Sequence, residues 1–151
     1  MLVVDMPPGT GDIQLTMAQN VPLAGAVIVT TPQDIALLDA RKGIEMFRKV
    51  AVPLLGIVEN MSTHTCSECG HQEAIFGEGG GAAIAAEYGL NVLARLPLSM
   101  AIRMQSDGGQ PPLIAEPQGP VSLQFREMAR IIMASLAAAN NAGPVIQILE
   151  D

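Results

Sequence analysis

Four short apolar runs punctuate the chain: MLVVDM (1–6), GAVIVTT (25–31), LLGIVEN (54–60) and NVLARLP (91–97). Each reads as a buried strand. The segments between them carry helical spacing. DIQLTMAQN (12–20) opens on an N-cap candidate, Asp12. QDIALLDARKGIEMFRKV (33–50) brings Ile35, Leu38, Ile44, Met46 and Phe47 near one face, with basic residues toward the C-terminal end that the helix dipole favours. GGAAIAAEYG (80–89) and PVSLQFREMARIIMASLAAA (120–139) complete the helical set. Strands alternating with helices predict βαβ units, hence an α/β fold with a parallel sheet flanked by helices on both faces. Residues 61–79 interrupt the pattern as a long loop, and the Gly/Pro-rich stretch 99–119 as a short helix followed by loop. The predicted domain spans 1–139, and 140–151 is expected to be a tail. A buried strand at the first residue is unusual, because termini normally lie outside the core. The chain is therefore expected to be cut from a larger domain on its N-terminal side. Its first run is expected either to pair with 25–31 or to leave an open edge for another chain.

Composition sharpens this reading. The 151 residues are 49% hydrophobic and 15% charged, with mean hydropathy +0.34. Strands covered on both faces give such values, as does a surface that awaits a partner. Fifteen acidic residues against eight basic ones give a net charge of −7, and the aromatics are three Phe and one Tyr. Without a basic cluster or stacking platform, no nucleic-acid partner is expected. No apolar run approaches the ~18–20 residues of a membrane span, so no membrane partner is expected either. The N-terminus has neither a basic n-region nor a cleavage site for a signal peptide. The nine methionines, Met100 and Met104 among them, read as ordinary core filler. Arg41 and Lys42 read as solvated helix charges.

Two stretches carry chemistry. VVDMPPGTGD (3–12) ends an aliphatic run in Asp5, placing a carboxylate at a strand tip, where open α/β sheets bind ligands. A Walker-B aspartate holds the magnesium of a nucleoside triphosphate from such a position. Gly9, Thr10 and Gly11 follow, with backbone N–H groups free to approach a γ-phosphate; a tight turn leading into a helix capped by Asp12 is the simpler alternative. The second stretch is CSECG (66–70), which holds the only two cysteines, Cys66 and Cys69, with His64 and His71 just outside. Without an export signal, this spacing argues for metal or redox chemistry in a reducing compartment, and a cytoplasmic location is expected. Zinc, an iron–sulfur cluster and a redox dithiol all remain open on spacing. The two histidines could complete a Cys₂His₂ zinc set, although four ligands within eight residues is tighter than zinc sites use.

DMPPGTGD, TTPQDIALLDARKGIEMF, GIVENMS and CSECGH occur in this order, at similar spacing, in the Mrp/ApbC family of MinD/ParA-like P-loop ATPases that carry iron–sulfur clusters. The resemblance covers about residues 1–135. It implies ATP with Mg²⁺ bound between two subunits of a homodimer, and a 4Fe–4S cluster held by the CxxC of each, for delivery to apoprotein clients. Asp5 then matches the Walker-B aspartate, and Gly9 to Asp12 the segment that senses the γ-phosphate. Asn60 matches a reader of the adenine edge, Pro97 and Leu98 the segment beside the base, and Cys66 and Cys69 the cluster ligands. The helix over 33–50 would face the partner subunit. The family's glycine-rich, lysine-bearing Walker A loop has no counterpart here, since Lys42 and Lys49 sit in a helical pattern. The chain thus resembles the C-terminal half of the family domain, and ATP hydrolysis is expected of the full-length form, not of this chain alone. A non-enzymatic zinc-binding module with a vestigial nucleotide cleft is the alternative.

Overall fold

The computed structural model describes residues 1–7 and 11–140. Its elements are α1 (Asp12–Asn20), β1 (Ala26–Thr30), α2 (Asp34–Lys49), β2 (Leu54–Glu59), β3 (His64–Thr65), β4 (Gln72–Glu73), α3 (Gly80–Tyr88), β5 (Val92–Arg95), α4 (Met100–Asp107), α5 (Pro112–Ala115) and α6 (Pro120–Asn140). β1, β2 and β5 form a parallel sheet in that order, and β3 and β4 form a small antiparallel pair. The α/β prediction holds.

Alternation along the strands divides the core into two layers. Ile28 and Ile57 face α1, α2 and α3, packing with Ala18, Leu37, Ile44, Phe47 and Ile84. Val58 and Leu93 point the other way, toward Phe125, Met128, Ile131 and Ile132 of α6. Helices therefore cover both faces. In β2, Gly56 has φ 148°, and a Cβ there would stand 2.6 Å from Leu93 Cγ and 2.7 Å from the Asn91 carbonyl. Only glycine lets β5 approach so closely. No described helix is long and apolar enough to cross a membrane.

Four expectations need correction. The run 1–6 forms no strand: Met1, Leu2 and Val3 are each about four-fifths exposed, and the open edge of β1 has no neighbour among the described residues. A strand exists only as one side of a ladder, which an apolar run cannot report about itself. The buried face of α2 carries Leu37, Ala40, Ile44 and Phe47, with Met46 beside them, while Ile35 and Leu38 are exposed. The spacing 37, 40, 44, 47 keeps to one helical stripe, which Ile35 and Leu38 miss. Gly11, not Asp12, caps α1; Asp12 lies in the first turn, where its charge suits the helix dipole. Finally, 61–79 is not all loop, and 99–119 holds two short helices. The tail expected at 140–151 lies outside the described residues beyond Asn140.

Candidate metal centre

The two cysteines sit at the tip of the β3–β4 hairpin. His64 pairs with Glu73 and Thr65 with Gln72. Beyond them Cys66 N–H donates to the His71 carbonyl at 2.9 Å, and Gly70 N–H donates to the Cys66 carbonyl at 3.0 Å. The turn closes because Gly70 takes φ 71°, the left-handed conformation glycine adopts without penalty. Cys66 is half-buried and Cys69 exposed, both as free thiols. The backbone N–H groups of Cys69 and Glu68, followed by the Cys69 side chain, hold the Cys66 thiol below its ordinary range; burial and Glu73 oppose them. Amides gathered around a sulfur favour the thiolate that metals and clusters bind.

Among the described residues, no group of three or more His, Cys, Asp or Glu side chains converges on a metal position. His71 is exposed on the hairpin. His64 faces the sheet instead, with its Nδ1 3.2 Å from the Leu98 carbonyl. One chain thus offers two cysteine sulfurs at the hairpin tip, which is half of a four-cysteine ligand set.

The hairpin is fastened to the C-terminal end of the sheet. Past β2, Asn60 N–H donates to the Thr30 carbonyl, and Asn60 Oδ1 accepts the N–H of Met61, whose φ is 56°. After this bend the ladder resumes. Ser62 N–H donates to the Leu96 carbonyl at 2.9 Å, and Leu98 N–H to the Thr63 carbonyl at 2.8 Å. Buried Ser62 adds its hydroxyl to the same Leu96 carbonyl. On the far side of the hairpin, Glu59 closes the loop. The residue is 2% exposed, and Oε2 accepts Gly81 N–H at 2.6 Å in the first turn of α3. A carboxylate at a helix N-terminus meets unpaired amides and the positive end of the dipole.

Asn60, Pro97 and Leu98 therefore gather beyond the ends of adjacent strands β2 and β5, with Thr31 just past β1. Asp5 does not join them on a strand: it is exposed on the unpaired N-terminal segment. Gly9 and Thr10 fall outside the described residues. Sequence reasoning missed Glu59 and the contact of His64 with Leu98. An acidic residue closing an apolar strand was the available signal for Glu59; His64 gave none, because its partner is 34 residues away.

Known proteins resemble this chain in sequence and fold. A family described as ParA: NUBPL iron-transfer P-loop NTPase matches residues 1–133. An iron-sulfur cluster carrier protein of Pseudomonas fragi is 66% identical over 128 residues, covering 85% of this chain and 45% of the relative. The protein of that name from Escherichia coli K12 is 56% identical over 135 residues, covering 89% and 37%. The mouse iron-sulfur cluster transfer protein NUBPL is 50% identical over 138 residues, covering 91% and 43%. The chain thus spans less than half the length of each. Among solved structures, a nucleotide-binding protein of Archaeoglobus fulgidus in complex with ADP superposes with TM-score 0.65 at 36% identity, over 80% of this chain and 48% of that one. The cell division ATPase MinD of Pyrococcus furiosus gives TM-score 0.57 at 22% identity, over 74% and 43%, a likeness of fold. This chain belongs to the ParA family of NUBPL-type iron-transfer P-loop NTPases.

Proposed function

We propose that the chain is the cluster-holding part of an iron–sulfur cluster carrier, in which Cys66 and Cys69 supply half the ligands of a 4Fe–4S cluster and a second copy supplies the rest. The observation that carries this reading is the exposed Cys66–Cys69 turn with no third ligand converging on it among the described residues. The cluster is cargo, passed on to apoprotein clients, and an exposed tip suits a ligand set that must open for transfer. Thiols in this role need a reducing compartment, which fits the cytoplasm. The names of the relatives support the carrier role.

Nucleotide chemistry belongs to the longer protein in this reading. There Asp5 and Asp12 act near magnesium and the γ-phosphate, with Gly9, Thr10 and Gly11 as amide donors and Asn60, Pro97 and Leu98 beside the base. Phosphoryl transfer rests on positioning and charge neutralisation, for which this sequence holds no lysine-bearing phosphate loop. Hydrolysis by this chain alone is accordingly not expected.

Anaerobic reconstitution with ferrous iron and sulfide is the test. The expected product is a brown dimer with about one 4Fe–4S cluster per two chains, because a cube needs about four ligands. Cys66→Ala and Cys69→Ala each abolish it. A monomer that keeps a full cluster overturns the shared site, and a colourless dimer that takes up only zinc favours the zinc-binding alternative.

A further inference from the structure

The β3–β4 hairpin has two paired residues on each side, and its tip from Ser67 to Glu73 is wholly exposed. A two-stranded ribbon of this size is marginal on its own in water. What holds the thiolates in place must therefore lie at its base. On the Cys66 side, the last side chain that reaches the sheet is His64, half-buried, two residues before the cysteine.

His64 and Leu98 form an isolated parallel bridge next to the Leu98 N–H bond to the Thr63 carbonyl. The Leu98 carbonyl can only accept, so the hydrogen lies on His64 Nδ1 and the imidazole donates. This bond closes the ladder that begins at Leu96. It leaves Thr63 held through its backbone carbonyl and His64 through its side chain.

We infer that His64 is a positioning residue, which latches the thiolate-bearing hairpin to the strand end 96–98 through its Nδ1–H bond to Leu98 and so sets the orientation of Cys66. The inference rests on the cluster-binding reading above. Partners that orient ligands from behind are worth about 10–100-fold in metal affinity where measured.

The test compares His64→Phe, which keeps a ring without the donor, with His64→Asn, whose side-chain amide reaches the Nδ1 position with a donor and no ring. Two quantities are read: the rate at which a chelator strips iron from the reconstituted chain, and amide hydrogen exchange of the metal-free chain. In His64→Phe, iron loss is expected to be about tenfold faster, with faster exchange at Cys66, Gly70 and Leu98 and unchanged exchange at Ile57 and Val58. His64→Asn is expected to restore both quantities. Wild-type iron loss and exchange in His64→Phe would overturn the latch. So would a shifted visible spectrum with lost iron in both variants, which would make the imidazole itself a ligand. If the wild-type chain takes up no cluster, the carrier reading fails, and exchange alone decides the latch. Restoration by asparagine then sustains it, and unchanged exchange in His64→Phe refutes it.

Discussion

Gly81→Ala tests whether the buried carboxylate of Glu59 organises the far side of the hairpin. Gly81 lies inside α3, where helix propensity alone favours alanine by up to about 1 kcal/mol. The packing opposes it. A Cβ at Gly81 would stand 2.8 Å from Glu59 Oε2 and 3.0 Å from Glu59 Cβ, and Glu59 is 2% exposed with no room to retreat into solvent. Overpacking of this kind costs about 1–3 kcal/mol. The 2.6 Å bond from Gly81 N–H to Glu59 Oε2 would be strained at the same time, and hydrogen bonds to charged groups contribute about 1.5–3 kcal/mol. Gly81→Ala is expected to destabilise the chain by about 1–3 kcal/mol, against the propensity gain.

Glu59→Ala separates the two effects. It removes the acceptor and leaves a buried amide unpaired, at a cost of about 2–3 kcal/mol. Arg95, 3.7 Å away and half-exposed, adds little to that figure. In the Glu59→Ala background the obstacle to a Cβ is gone, so Gly81→Ala is expected to become neutral or stabilising. Urea unfolding followed by circular dichroism, on all four members of the cycle, measures the coupling. Equal effects of Gly81→Ala in both backgrounds would refute the reasoning, as would a stabilised single mutant.

Three further outcomes are expected. Ser122 is fully buried and its hydroxyl has no hydrogen-bond partner among the described residues, so Ser122→Ala should leave stability unchanged or raise it by about 1 kcal/mol; a clear loss in thermal denaturation would reveal a partner. Thiolate ultraviolet absorbance of the metal-free chain should show Cys66 ionising below the ordinary thiol range, so its thiolate persists as pH falls where a free cysteine is already protonated. Cys69→Ala should return it only part of the way, because the backbone amides of residues 68 and 69 remain. Leu2→Lys with Val3→Lys should lower self-association in sedimentation velocity, since these side chains are 87% and 79% exposed and β1 has an open edge among the described residues.

What the sequence reveals is what is local in it. Strands β1, β2 and β5 are visible because most of their positions are apolar, although Val29 in β1 is 63% exposed. The run 1–6 carries the same signal and makes no strand, since pairing depends on a neighbour that the run does not encode. The stripe on α2 misleads for a related reason. Ile35 and Leu38 are as apolar as Leu37, and only the packing of Leu37 into the core and against Gly80 shows which of them faces inward.

The candidate site divides along the same line. CxxC spacing is a local property, and it locates the thiolates without help from the fold. The parts that aim them are long-range: His64 reaches Leu98, Ser62 reaches Leu96, and Glu59 reaches Gly81. The first two contacts join the hairpin and the segment leading into it to the end of the sheet where Asn60, Pro97 and Leu98 also lie, and the third joins the end of β2 to α3. A displacement of residues 96–98 must carry Ser62 to His64 with it or break two backbone hydrogen bonds, each worth about 1 kcal/mol. The hairpin and the strand ends are therefore one mechanical piece. A molecule bound against Leu98 would meet the strand end to which His64, two residues from Cys66, is hydrogen-bonded.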